Sequence, residues 1–127
     1  MWLVPPHLLL SHKKVAQDGL MAQMRKGTTA WIVLTVLEKR GELYGYGLRR
    51  DVFEKSKGLF PIHESPLYTL LKRMERKRWV TSRLQRVAGR DRRYYRISPR
   101  GRQVLGQYRR EWRLLSSVLD SFGCHHA

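Results

Sequence analysis

Two short stretches of this sequence gather side chains suited to holding phosphate. "SPLYTLLKRMER" carries Ser65, Tyr68, Thr69, Lys72, Arg73 and Arg76, and "RVAGRDRR" carries Arg86, Arg90, Arg92 and Arg93. Guanidinium and ammonium groups donate charge-assisted hydrogen bonds to anionic oxygens, and hydroxyls add neutral donors. Asp91 is the single acid in the second stretch, whereas a merely solvated turn usually mixes signs. The chemistry on offer is polyanion binding rather than bond making. No glycine-rich phosphate loop, carboxylate pair in an apolar setting or nucleophile–base spacing is present. Cys124, His125 and His126 are adjacent at a terminus, a poor ligand geometry, and His7, His12 and His63 lack metal spacing. Neither an enzyme nor a metal or other cofactor is expected.

The chain as a whole agrees with that chemistry. Its 26 Lys+Arg against 10 Asp+Glu leave a formal net charge of +16 over 127 residues. Such an excess draws nucleic acid or another polyanion. A hydrophobic content of 42% is too high for a disordered basic tail. One cysteine excludes an internal disulfide and fits a reducing cytoplasm. No apolar run approaches the roughly 20 residues of a membrane span. The opening "MWLVPPHLLLSHKK" lacks leading cations and a small-residue cleavage site, and Pro5-Pro6 interrupt it. Residues 1–26 therefore read as a flexible leader, with Met21 and Met24 as later candidate starts.

The elements that must position the cations follow from periodicity. Ala30, Val33, Leu34 and Leu37 recur at helical spacing after Thr28 or Thr29, and Gly41 closes that helix. A second, shorter helix places Leu48, Val52 and Phe53 inward and ends at Gly58. Ser65 as N-cap and Pro66 at the first position start a third, whose Leu67, Leu70, Leu71 and Met74 form one apolar stripe. At about 100° per residue, Ser65, Thr69, Lys72, Arg73 and Arg76 then face away from the core, with Tyr68 on the flank. Val80–Gln85 and Arg93–Ser98 read as two strands joined through Ala88-Gly89-Arg90. Ser98 and Pro99 start a long last helix on which Leu105, Tyr108, Trp112, Leu115, Leu119 and Phe122 step by 3, 4, 3, 4 and 3, a heptad seam for a second copy.

The fold expected is mainly α with a small β-hairpin: a winged helix-turn-helix over residues 27–98, then a dimerisation helix and tail over 99–127. In that arrangement the third helix enters the major groove of double-stranded DNA and the hairpin reaches phosphates or the adjacent groove. A charged face opposite an apolar stripe is also what any surface helix shows; the arginine-tipped hairpin favours nucleic acid. Tyr94 and Tyr95 alternate across their strand, so one packs. Trp31 and Trp79 suit core or helix-end packing.

"GELYGYGLRRDV", "HESPLYTLLKRMERKRWV", "GRDRRYYRISPRGR" and "EWRLL" resemble the PadR family of bacterial transcriptional regulators, over about Gly27 to Phe122. The resemblance implies a homodimeric winged-helix repressor whose last helices cross between subunits, often released from DNA by a small aromatic compound or drug. It assigns Tyr68 to the recognition helix, Arg93, Tyr94, Tyr95 and Arg96 to the end of the wing, and Trp112 to ligand stacking at the dimer interface. Ser65-Pro66 and "AGRDR" depart from the family's usual glycine-threonine (or glycine-serine) and Gly-Gly-Arg. Two other readings compete: a nucleic-acid- or ribosome-associated basic protein without sequence preference, suggested by the charge, and a small-molecule-binding dimer, suggested by Trp112.

Overall fold

The computed structural model describes residues 19–124. Along the chain run α1 (Leu20–Lys26), α2 (Thr29–Arg40), β1 (Glu42–Tyr44), α3 (Gly45–Lys55), α4 (Glu64–Arg76), β2 (Val80–Val87), β3 (Arg90–Ile97) and α5 (Pro99–Ser121). The expected order of helices, hairpin and long helix is present. Two elements are additions. α1 lies within the segment read as leader, whose residues 1–18 fall outside the described residues, as do His125 and His126. β1 is only three residues long, too short to leave a periodic signal.

The sheet is antiparallel with strand order β1-β3-β2. Glu42, Leu43 and Tyr44 pair with Arg96, Tyr95 and Tyr94, while β2 pairs with β3 from Val80↔Ile97 to Val87↔Arg90. The hairpin is longer than its sequence suggests, because its turn is only Ala88-Gly89. Both residues take left-handed backbone, at φ 51° and 79°. That geometry matches strand twist and lets pairing continue to the tip, so Arg90 belongs to β3 rather than to the turn.

Fully buried Val33, Leu34, Leu37, Leu48, Leu67, Leu71, Met74 and Leu105 join α2, α3, α4 and α5 around one core, closed by Val80, Tyr95 and Ile97. Each fully buried leucine contributes about 1.5–3 kcal/mol relative to exposure. Leu105, expected on the heptad seam, is fully buried in this core. Phe53 also departs from expectation: it is 53% exposed, leaving Leu48 and Val52 as the inward residues of α3.

Helix ends carry two further differences. α4 starts at Glu64, with extended His63 as N-cap and its carbonyl accepting from the Leu67 N–H. Ser65 is therefore inside the first turn and caps nothing. Pro66 is tolerated there because first-turn N–H groups need no helical acceptor. Thr28 precedes α2, but its hydroxyl and that of Thr29 donate to the Arg25 carbonyl instead of capping. Ser98 does cap α5: its Oγ accepts from the Gly101 N–H at 3.0 Å and donates to the Arg78 carbonyl at 2.6 Å. That residue joins the start of α5 to the α4–β2 junction.

Candidate nucleic-acid interface

The α4 stripe is buried, with Leu67, Leu71 and Met74 at 0% exposure, so the opposite side must face solvent. Ser65, Thr69, Lys72 and Arg76 are all exposed there. Glu64, Ser65, Tyr68, Thr69 and Lys72 line a shallow groove of about 430 Å³ along its first half. Arg73 is exposed as well, and its charge is felt at the Tyr108 hydroxyl of α5. Burial is the larger influence on that phenol and holds its pKa above the ordinary 10.0.

Tyr68 occupies the opposite flank of α4 and lies over Gly45, the first residue of α3. Tyr44, Gly45, Tyr68, Arg90, Arg92 and Arg93 border a cleft of about 600 Å³ between helices and wing. No side chain caps the N-terminus of α3, which opens onto this cleft. First-turn N–H groups and the positive end of the helix dipole favour an anion there.

The wing arginines divide between the two faces of the hairpin, as strand alternation requires. Arg93 shares a face with buried Tyr95 and Ile97, and its Nη1 donates to Ser82 Oγ at 2.9 Å. Arg86, also on that face, meets Asp91 at 3.4 Å. On the outer face, the Arg92 guanidinium lies 4.6 Å from the Tyr44 ring centroid. Arg83 stands 5.3 Å from the Tyr94 ring centroid and forms a two-pronged pair with Glu42, at 2.6 and 2.8 Å. This hydrogen-bonded pairing lowers the Glu42 pKa from its ordinary 4.5. Tyr95 is the tyrosine that packs, at 3% exposure, and burial raises its pKa; Tyr94 rests against Tyr44 at 5.5 Å. Arg90 is exposed beside the turn. Arg92 and Arg83 thus lie against aromatic rings, and the Arg92–Tyr44 contact is invisible in sequence because it requires β1.

The model of the transcriptional regulator PadR-like family matches residues 33–107. The chain belongs to that family. A relative in sequence, an uncharacterised protein of Lysinibacillus sphaericus, is 30% identical over 92 residues, covering 72% of this chain and 83% of the other. A transcriptional regulator from Clostridium thermocellum superimposes with a TM-score of 0.73 at 30% identity, over 79% of this chain and 97% of that one. A PadR family transcriptional regulator from Eggerthella lenta gives a TM-score of 0.75 at 25% identity, over 89% and 96%. This PadR-like chain is therefore a transcriptional regulator with a winged-helix fold. No helix among the described residues is long and apolar enough to cross a membrane.

A second feature of this PadR-like protein lies beside α5. The Trp31 ring stacks on Tyr108, with centroids 5.9 Å apart and planes 2° from parallel, and meets Trp112 at 5.9 Å. Trp31 and Trp112 border an open cavity of about 770 Å³ whose walls include Ile32, Val36, Phe60 and Arg109. Sequence reading isolated Trp112 but missed Trp31 as its neighbour, because the two are distant in the chain. Further along α5, Leu115 and Val118 are 49% and 51% exposed and Leu119 is half-buried; Phe122, just past the helix, is 80% exposed.

Proposed function

We propose that this regulator is a sequence-specific DNA-binding repressor that works in the cytoplasm as a homodimer and leaves its operator when a flat aromatic molecule binds. The observation that carries the DNA reading is α4: leucines hold one side to the core while Ser65, Thr69, Lys72 and Arg76 line the other, next to an arginine-bearing wing. A helix so held fits the major groove; Tyr68, Arg90, Arg92 and Arg93 flank it for phosphate contact, and Arg86 follows on the strand. Arg73 serves the edge of this surface nearest α5. The division into a DNA-binding unit over residues 27–98 and a dimerisation segment over 99–127 belongs to the same proposal.

Dimerisation is supported by apolar side chains that one chain leaves uncovered: Trp112, Leu115 and Val118 on α5, Phe122 just after it, and Leu20 and Met24 on α1. An exposed apolar strip of that length marks an association surface. Leu119 falls on the same stretch, and Tyr108 borders it while stacking on Trp31. Effector binding is supported by the aromatic cavity at Trp31 and Trp112.

Selection from a random duplex pool, followed by titration across salt, tests the DNA reading. The expected result is enrichment of a two-fold-symmetric site and affinity that falls steeply with salt yet keeps its preference over scrambled duplex. A second reading, a basic nucleic-acid binder without sequence preference, rests on the net charge of +16. Absence of an enriched motif, with RNA competing as well as duplex, selects it.

A further inference from the structure

The recognition helix and the wing are tied by a hydrogen-bonded chain through one small side chain. Ser82 Oγ on β2 donates to Glu75 Oε2 on α4 at 2.6 Å, and the same oxygen accepts from Arg93 Nη1 on β3 at 2.9 Å. A hydroxyl has one proton and two lone pairs. The short bond to the carboxylate uses the proton, which leaves a lone pair aimed at the arginine. The order Glu75, Ser82, Arg93 is therefore set by valence as well as by position.

We infer that Glu75 and Ser82 are positioning residues for DNA recognition: they hold the Arg93 guanidinium at the cleft between α4 and the wing, where it takes a backbone phosphate. The inference rests on the DNA-binding reading above. Arg93 borders that cleft with Tyr68 and Gly45, and Arg90 and Arg92 add positive charge to it. The one acid among the bordering residues, Asp91, is engaged by Arg86. Arg93 is exposed and tied to a neutral hydroxyl. One of its five N–H groups is spent, and the rest remain for a ligand. Glu75 is half-buried at the edge of α4 and contacts the wing rather than the groove-facing side.

The physical gain is preorganisation. A free arginine loses rotamer freedom when it binds, at a cost that weakens binding by about threefold to tenfold per side chain. An arginine already fixed to the helix whose groove it borders loses less. The tie also fixes the angle between wing and helix, so phosphate contact and base contact occur in one register.

The probe is a duplex enriched by the wild-type protein from a random pool. Arg93→Ala is expected to weaken binding by about tenfold and to reduce the log–log salt slope by about 0.9, the signature of one phosphate contact. Ser82→Ala should weaken binding by about threefold, with an unfolding temperature close to wild type. Ser82→Thr keeps the hydroxyl in a residue that suits a strand and should restore affinity. Glu75→Gln keeps an acceptor for Ser82 and should bind better than Glu75→Ala. The decisive measurement is the cycle: Ser82→Ala added to Arg93→Ala should cause no further loss. Wild-type affinity in Ser82→Ala, or losses that multiply in the double variant, overturns the positioning role while leaving DNA binding intact. A pool that yields no enriched duplex overturns the DNA reading and this inference with it.

Discussion

Gly45 and Tyr68 are packed so closely that a methyl group on Gly45 would stand 2.8 Å from the phenolic oxygen. Glycine at the start of α3 is what allows the tyrosine of α4 to lie across it. Gly45 has ordinary helical backbone, so Gly45→Ala carries no conformational strain and gains up to about 1 kcal/mol of helix propensity. The substitution should keep or raise stability while turning the Tyr68 ring out of the cleft. Operator affinity should fall by about tenfold, an effect that Tyr68→Phe, lacking only the hydroxyl, separates into ring and oxygen. Unchanged binding by both variants removes Tyr68 from the interface.

Gly101 makes the opposite prediction. A Cβ there would run into the Trp79 backbone carbonyl and the Ile97 side chain. Backbone cannot swing aside as a phenol can, so the start of α5 must back away and weaken the Ser98 cap. Gly101→Ala should lower stability in urea unfolding by about 1–3 kcal/mol, the usual range for overpacking. A loss near zero means the junction is looser than its contacts suggest.

The Glu42–Arg83 pair links acid titration to the edge of the sheet. Arg83 lowers the Glu42 pKa in the folded chain relative to the ordinary 4.5. A depressed carboxylate stabilises the fold above its unfolded pKa, and the contribution is lost as pH falls through the folded value. Carboxyl titration by NMR should place Glu42 below 4.5 in the wild type, and Arg83→Ala should return it towards that value. An unmoved titration in the variant rules out the pairing as its cause.

The aromatic cavity gives a ligand test with an internal control. Planar aromatic compounds should quench tryptophan fluorescence and weaken operator binding, and Trp112→Ala should remove both effects. Trp31→Ala should do likewise, because the two rings meet at 5.9 Å. Quenching that persists in both variants places the compound elsewhere.

Leu115 and Val118 are exposed on α5, so Leu115→Asp with Val118→Asp should change no core contact. Sedimentation should report monomers with an unaltered circular dichroism spectrum. Binding to a two-fold site should drop together with self-association, since each half-site then pays its own orientational cost. Monomers that retain full-site affinity exclude a dimer built on this face.

The sequence by itself determined α2 to α5, the hairpin and the cationic side of α4, but not α1. Leu67, Leu70, Leu71 and Met74 repeat at helical spacing, and that repeat fixes which side of the segment is buried whatever the rest of the chain does. Family membership was legible for the same reason, in motifs that are local. Tertiary structure decided what depends on residues far apart in the chain. Arg93 came to Ser82 through strand register, and Ser82 to Glu75 through the packing of β2 on α4. Arg92 gained Tyr44 only because a three-residue strand joins the sheet. Leu105 fitted the heptad spacing as well as Leu115 does, yet one is core and the other is exposed. Spacing marks a stripe along a helix, but where the protomer's own core stops covering that stripe is set by the lengths and angles of the helices beside it.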